Sequence, residues 1–209
     1  MSVVVLISGR GSNMQALLDA GLPVSAVISN RADAKGLEIA SARGVATRVV
    51  EHRAFATREA FDQALGDVAQ GFKPHLIALA GFMRILTPVF VQRFEGRVMN
   101  IHPSLLPAFP GLDTHARALE AGVKLHGCSV HFVTAELDHG PMVVQAAVPV
   151  LADDTEETLA ARVLEAEHAI YPAAVRWFLE GRLRVEGQRV IGRDLDRPDG
   201  VLFSPDPER

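Results

Sequence analysis

An amide and an imidazole side chain stand at the end of one apolar run of this chain, and their spacing suits catalysis at a carbonyl group. Asn100 and His102 end the run Val98–His102 and lie two positions apart, so both side chains lie on one face of a strand. Central parallel strands are usually apolar on both faces, and ligands bind at their carboxyl ends. Two such donors predict stabilisation of a developing oxyanion. The alternative is that both side chains only bond the Pro-rich loop that follows.

A carboxylate that can assist this pair occurs in a later acidic loop. Asp138 stands within the run Glu136–Pro141, and the chain can fold back to bring it near His102. A carboxylate close to an imidazole favours the protonated ring. An aspartate before His-Gly-Pro is, from spacing alone, more often a plain turn residue. The other histidines lack the spacing of metal ligands, so we expect no metal site.

A glycine-rich turn follows the first apolar run. Residues 9–13 read Gly-Arg-Gly-Ser-Asn, and glycines let the backbone approach a ligand where a helix N-terminus attracts an anion. The dinucleotide fingerprint is incomplete because Met14 replaces its third glycine, and the Walker lysine is absent. The turn therefore predicts a monophosphate site, with a ligand-free helix cap by Ser12 or Asn13 as the alternative.

A second loop, Gly81–Leu86, follows the fourth apolar run and would lie beside the same sheet edge. Apolar side chains with exposed backbone groups suit a planar heterocycle. A core loop that merely connects two elements is an equal alternative at this point.

The elements that must position these residues form a regular alternation of strand-like apolar runs and helix-like stretches. It predicts an α/β fold with a doubly wound, mostly parallel sheet and right-handed crossovers. The predicted strands are Val3–Ile7, Val24–Ser29, Thr47–Val50, Leu76–Ala80 and Val98–His102, and the predicted helices are Met14–Ala20, Ala34–Arg43, Thr57 to about Gln70, and Pro88–Phe94.

The pattern changes in the last third of the chain. Ser129–Val133 and Met142–Val150 predict an antiparallel extension, and a long C-terminal helix starts at Thr155, kinked or divided at Pro172. A weak hairpin is expected after Gly181. We predict one domain over residues 1–190 and a mobile tail over residues 191–209.

Composition excludes several classes of protein. The 209 residues are 48% hydrophobic and 22% charged, as in globular proteins, and the single cysteine, Cys128, cannot form an internal disulfide. A net charge of −4 without a basic stripe argues against a nucleic-acid partner. The run Val3–Ile7 is too short for a bilayer span or a signal core, so we expect a cytoplasmic protein without a membrane partner. Monomer and homodimer are both open.

Five motifs, taken together and in order, resemble those of the phosphoribosylglycinamide formyltransferases, the folate-dependent enzymes of purine biosynthesis. The similarity extends from Val3 to about Gly181. The motifs are Val5–Asn13, Leu79–Leu86, Asn100–Pro107, Gly127–Val133 and Glu167-His168.

The resemblance implies a Rossmann-like formyltransferase fold and transfer of the formyl group of 10-formyltetrahydrofolate to the amino group of glycinamide ribonucleotide. The products would be formylglycinamide ribonucleotide and tetrahydrofolate, with no metal required. Asn100, His102 and Asp138 match the catalytic trio of the family. Substrate-binding positions are Gly11, Ser12, Asn13 and Glu167; folate-binding positions are Arg58, Met83, Arg84, Ile85, Leu86, Asn100, Thr134, Ala135, Glu136, Leu137 and Asp138.

Some positions depart from the family pattern, and some relatives share its chemistry. Leu164 stands where some members carry a polar residue, and the roles of Arg10 and Asp113 are open. Methionyl-tRNA formyltransferase would need an added tRNA-binding domain, and formyltetrahydrofolate deformylase an added N-terminal module, so we disfavour both. A non-catalytic nucleotide-binding module on the same scaffold is the remaining alternative.

Overall fold

The computed structural model describes residues 1–193 and 195, which form one mixed sheet with helices on both faces. The strand order is β3-β2-β1-β4-β5-β6-β7-β9-β8. The strands are β1 Val3–Ile7, β2 Val24–Ser29, β3 Ala46–Val49, β4 Leu76–Leu79, β5 Val98–His102, β6 Leu125–Phe132, β7 Met142–Pro149, β8 Leu183–Glu186 and β9 Arg189–Gly192. The helices are α1 Ser12–Asp19, α2 Lys35–Ala42, α3 Arg58–Gly71, α4 Pro88–Arg93, α5 Thr114–Glu120 and α6 Glu156–Leu179.

Strands β1 to β5 form the parallel half of the sheet, and this confirms the predicted doubly wound architecture. Strand β7 runs antiparallel to β6, as predicted, and β6 also runs antiparallel to β5. The β5–β6 register places Asn100 opposite His131 and His102 opposite Ser129. Four polar side chains therefore share one face of two neighbouring strands.

Each face of the sheet carries its own hydrophobic core. Alternate residues of β1 divide between them: Val3, Val5 and Ile7 join the core beneath α1 and α6, whereas Val4 and Leu6 join the core beneath α3 and α4. All five are fully buried. A strand covered by helices on both faces is expected to be apolar throughout, and the carboxyl end of such a strand makes a rigid support for a site.

The long helix α6 starts as predicted, with Thr155 at its N-cap in a capping box. It continues through Pro172 to Leu179, so the alternative that Pro172 divides it is wrong. The buried side chains of Val163 and Val175, before and after the proline, pack on the same sheet face. This packing holds the helix together where one backbone hydrogen bond is missing.

Most element ends lie within two residues of the predicted ones, and the larger differences fall in the second half of the chain. Strand β6 begins at Leu125 rather than Ser129, and the short helix α5 was not predicted because only Thr114 and Ala118 of its residues are buried. The hairpin after Gly181 is present as β8 and β9, and β9 extends to Gly192. Most of the expected mobile tail lies outside the described residues. In the described chain, no helix is long and apolar enough to cross a membrane.

Candidate active site

A cleft of about 1390 Å³ opens at the carboxyl edge of the parallel strands. Its lining includes the glycine-rich turn after β1, the loop after β4 and the first turns of α6. Ile101 and Pro103, on either side of His102 in the sequence, line the same cleft. The position agrees with the rule that ligands of doubly wound sheets bind at the carboxyl ends of strands.

His102 and Asp138 lie close together beside this cleft, as predicted, although neither residue is part of its lining. The His102 Nδ1 atom lies 3.6 Å from Asp138 Oδ2, and each side chain is 7% exposed. The opposite ring nitrogen, Nε2, lies 3.1 Å from the carbonyl oxygen of Phe109. A carbonyl only accepts, so Nε2 carries a proton and donates it there. The Nδ1 atom is then the ring position that faces the carboxylate and the site.

Asp138 is both a turn residue and a site residue, so the two readings from the sequence are compatible. Its φ of 54° is left-handed, which aspartate tolerates in turns. The turn directs its carboxylate back into the site, where Oδ2 accepts a hydrogen bond from the Gly111 backbone N–H at 2.9 Å. The other oxygen, Oδ1, lies 3.8 Å from Nε2 of His131.

Asn100, the third member of the predicted trio, is held by His131, which was not among the predicted site residues. Asn100 Nδ2 donates to His131 Nε2 at 3.3 Å, and His131 Nδ1 donates to the carbonyl of Phe132 at 2.9 Å. Burial lowers the pKa of His131, so its ring is neutral and its Nε2 is free to accept. The alternating polar residues Ser129 and His131 on β6 were the available signal for this contact.

Glycines bring the turn after β1 close to helix α2. Gly11 is the N-cap of α1 with a φ of 78°, and a Cβ atom there would lie 2.9 Å from the Cα of Gly36. The Gly36 N–H donates to the carbonyl of Gly9 at 3.0 Å. Neither Ser12 nor Asn13 caps α1, since no side chain bonds its N-terminus. The first backbone N–H groups of the helix therefore remain available to a ligand, as a phosphate site needs.

Asn13 and Glu167 meet although they come from α1 and α6. Asn13 Nδ2 donates to Glu167 Oε2 at 2.7 Å, and both side chains are buried. Burial raises the pKa of Glu167, and the Asn13 hydrogen bond partly opposes this shift. The structure thus brings two of the predicted substrate-binding residues into direct contact.

The loop after β4 exposes apolar side chains beside the cleft. Met83 is 67% exposed and Ile85 is 50% exposed, whereas Leu86 is buried. Arg58 Nη2 donates to the Ile85 carbonyl at 3.0 Å, and Arg84 lines the cleft. Met83 also lines the cleft, so its exposed apolar side chain is available to a ligand there.

The second predicted folate segment, residues 134–138, forms a turn on which Leu137 is half exposed. Thr134 Oγ1 donates to the carbonyl of Glu136 at 3.2 Å, while Ala135 and Glu136 are exposed. Within the described residues, none of these side chains except Asp138 forms a hydrogen bond or ion pair with Asn100 or His102, and their part in ligand binding stays a prediction.

The positions left open by the sequence divide into two groups. Leu164 and Arg10 both line the cleft. Asp113 has a φ of 54° just before α5, and its side chain does not cap that helix.

A contact between two histidines was not predicted from the sequence. His126 Nε2 lies 3.2 Å from His115 Nδ1, and burial lowers the pKa of His126 to about 4. No cluster of three potential metal ligands occurs within residues 1–193.

Comparison with known proteins identifies the family of this site. The family described as formyl transferase matches residues 1–175. The phosphoribosylglycinamide formyltransferase of Escherichia coli is 52% identical, over 91% of this chain and 96% of that protein. The enzyme of the same name from Haemophilus influenzae is 47% identical, over 88% of this chain and 90% of that protein.

A solved structure supports the same relationship. Glycinamide ribonucleotide transformylase 1 from Symbiobacterium toebii superposes with a TM-score of 0.91 and 51% identity, covering 93% of this chain and 94% of that one. Sequence and fold therefore agree over most of the chain. The chain belongs to the formyl transferase family, and within it to the phosphoribosylglycinamide formyltransferases.

Proposed function

We propose that this enzyme transfers the formyl group of 10-formyltetrahydrofolate to the amino group of glycinamide ribonucleotide, and that one domain over residues 1–190 carries the activity. The observation that carries the proposal is the convergence of Asn100, His102 and Asp138 at the end of β5. Ile101 and Pro103, the sequence neighbours of His102, line the cleft that also contains the phosphate-type turn. Amide and imidazole donors beside a carboxylate are the groups that acyl transfer to an amine requires.

The turn after β1 binds the phosphate of the ribonucleotide in this proposal. The backbone N–H groups at Gly11, Ser12 and Asn13 stand at the N-terminus of α1, where the helix dipole favours an anion. Glu167 Oε2 accepts from Asn13, which leaves Oε1 of the same carboxyl group to accept from the hydroxyl or amino groups of the substrate. The ribonucleotide then lies along the cleft with its amine toward β5.

The folate lies against the two loops with exposed apolar side chains. Met83, Ile85 and Leu137 supply apolar surface, and the loops expose backbone groups that can bond a planar heterocycle. Arg58 and Arg84 supply positive charge for the carboxylates of the folate tail. These residues fit a reduced folate. Bound 10-formyltetrahydrofolate supplies the electrophilic formyl carbon.

Two side chains stabilise the negative charge that develops on the formyl oxygen when the amine attacks. Asn100 uses one hydrogen of Nδ2 for His131 and keeps the second for this oxygen. His102 keeps Nδ1 free for it, because 3.6 Å to Asp138 is longer than a hydrogen bond. Both donors are fixed before the reaction by their other contacts, so little reorganisation is needed.

Asp138 transfers a proton in this proposal, first as a general base and then as a general acid. Its Oδ1 has no close hydrogen-bond donor among the described residues and can accept, through a water molecule, the proton that the amine loses as the new C–N bond forms. The same group returns the proton to the folate nitrogen as the old C–N bond breaks. His102 acts in this step with a proton on each ring nitrogen, Nε2 bonding the Phe109 carbonyl and Nδ1 facing the formyl oxygen.

The test is formyl transfer followed by the absorbance of the released folate. Release that requires both glycinamide ribonucleotide and 10-formyltetrahydrofolate supports the proposal. Release from the folate alone would instead indicate a deformylase, and no release from folded protein would contradict a transferase.

A pair of variants tests whether His102 acts in the chemical step. His102→Ala is expected to lower kcat by about 10²–10³-fold, the usual effect of removing an oxyanion donor, while leaving ribonucleotide binding nearly unchanged. His75→Ala, at an exposed histidine outside the cleft lining, serves as the control. Equal loss of turnover and binding in His102→Ala would contradict a mainly catalytic role.

A further inference from the structure

Segment 109–112, which is part of the connection from β5 to α5, contacts both His102 and Asp138 through its backbone. The carbonyl oxygen of Phe109 accepts from His102 Nε2 at 3.1 Å, and the N–H of Gly111 donates to Asp138 Oδ2 at 2.9 Å. These two contacts decide which ring nitrogen of His102 faces the site and where the Asp138 carboxylate points. The conformation of the segment is therefore part of the catalytic geometry.

This segment is less firmly tied to the sheet than the residues before it. The preceding stretch is anchored by Ser129 and Gln145, which both bond the backbone of Leu106. In contrast, Phe109 has a φ of 53° and Leu112 is 72% exposed. A left-handed conformation is unfavourable for a bulky aromatic residue, so the segment needs support from outside its own backbone.

Arg117, on the exposed side of α5, supplies such support. Its Nη1 donates to the carbonyl of Pro110 at 2.6 Å and lies 3.3 Å from the carbonyl of Leu112. Its guanidinium carbon lies 5.6 Å from the centre of the Phe109 ring. One planar cation therefore spans the segment, bonding its backbone on both sides of Gly111 and stacking on its first side chain.

We propose that Arg117 is a positioning residue for catalysis: it holds segment 109–112 in the conformation that orients His102 and Asp138. The inference rests on the proposed function of that pair. Without Arg117, the Phe109 carbonyl and the Gly111 N–H lose their fixed places, so the His102 ring and the Asp138 carboxylate gain freedom. A loss of this kind affects the chemical step, because misplaced catalytic groups lower turnover even where substrates still bind.

The kinetic test compares Arg117→Met with a matched control. Arg48 makes the same kinds of contact elsewhere: Nη1 donates to the carbonyl of Thr47 at 2.8 Å, and the guanidinium lies 5.5 Å from the Phe72 ring centre. Arg117→Met is expected to lower kcat about tenfold with the KM for ribonucleotide within about twofold, and Arg48→Met to match the wild type. Arg117→Lys, which keeps a cation and a donor, should recover part of the loss.

A readout without substrate makes the test independent of turnover. The ring resonances of His102, assigned with a His102→Gln variant, are followed by NMR as a function of pH. Their pH response should change in Arg117→Met and stay as in the wild type in Arg48→Met. Thermal unfolding of both variants identifies any general loss of structure.

The outcomes separate this inference from the proposed function. Unchanged kcat and unchanged His102 resonances in Arg117→Met would overturn the role of Arg117, as would equal losses in both methionine variants. A folded wild-type protein that transfers no formyl group would contradict the proposed function instead. The NMR comparison would still show whether Arg117 orients His102.

Discussion

Asn13 Nδ2 donates a hydrogen bond to Glu167 Oε2 at 2.7 Å and so joins the phosphate turn to helix α6 across 154 positions of sequence. Both side chains are buried, and Asn13 Oδ1 has no partner among the described residues. An orphaned buried oxygen beside a predicted ligand site is a feature that a bound substrate can satisfy. The pair therefore connects the two predicted ends of the ribonucleotide site.

Glu167→Gln is expected to make the protein more stable at neutral pH and weaker in substrate binding. Burial raises the pKa of Glu167, so the folded state takes up protons above the unfolded value of 4.5. The stabilising contribution is complete below that value and is lost as the pH rises through the folded pKa. Glutamine avoids this loss and still accepts from Asn13, so the free energy of unfolding at pH 7 should rise by about 1 kcal/mol.

Denaturant unfolding at pH 7 and pH 4 measures the stability effect, which should shrink at the lower pH. The KM for ribonucleotide should rise by about tenfold, the effect of losing roughly one charge-assisted hydrogen bond. Glu165→Gln, at an exposed neighbour on the same helix, is the control. A less stable Glu167→Gln protein at pH 7 would contradict the prediction.

His131→Leu is expected to lower kcat by about 10–100-fold while leaving the KM for ribonucleotide near its original value. The substitution removes the acceptor that holds Asn100 Nδ2, so the amide no longer presents its second hydrogen in one direction. Cys128→Ala, on the opposite face of β6, controls for the loss of a buried side chain on this strand. Steady-state kinetics decide: equal effects on kcat in both variants would show that His131 has only a packing role.

Gly36→Ala should raise the KM for ribonucleotide while leaving the positions of the catalytic trio unchanged. A Cβ atom at this position would lie 2.6 Å from Ile7 Cδ1 and 3.2 Å from the Cα of Gly11, so the phosphate turn must shift. Overpacking of this kind costs about 1–3 kcal/mol of stability. Gly71→Ala, which has open space around its Cβ, is the matched control. Substrate titration would refute the prediction if both variants bound ribonucleotide equally well.

The buried His126, in contact with the half-buried His115, predicts a loss of stability in mild acid. Burial lowers the pKa of His126 to about 4, so its contribution is fully present above the unfolded value of 6.5 and is lost as the pH falls toward 4. The free energy of unfolding should fall by about 3 kcal/mol between pH 6.5 and pH 4, given 1.36 kcal/mol for each unit between the two pKa values.

Urea unfolding between pH 7.5 and pH 4 measures the slope of the free energy of unfolding against pH. His126→Gln should flatten it, whereas His139→Gln, at a solvent-exposed histidine, should leave it as in the wild type. A His126→Gln protein with the wild-type slope would show that other groups account for the acid sensitivity.

The sequence alone determined the parallel half of the sheet and the edge that carries the site. Local patterns sufficed there: buried strands such as Val3–Ile7 are continuous apolar runs, and a glycine-rich turn directly after one of them predicts an anion site. The spacing of Asn100 and His102 placed both on one face because side chains alternate along a strand. The resemblance to a family added Asp138 and Glu167, which spacing alone did not distinguish from ordinary polar residues.

Only the tertiary structure decided which groups hold these residues in place. The contact of Asn100 with His131 depends on the β5–β6 register, and the contact of Asn13 with Glu167 depends on helices from opposite ends of the chain. Arg117 supports the segment beside His102 through side-chain geometry that no periodicity encodes. Periodic patterns report the burial of single elements, whereas long-range pairing is set by how the elements pack together. For that reason the chemistry could be predicted from the sequence and its positioning could not.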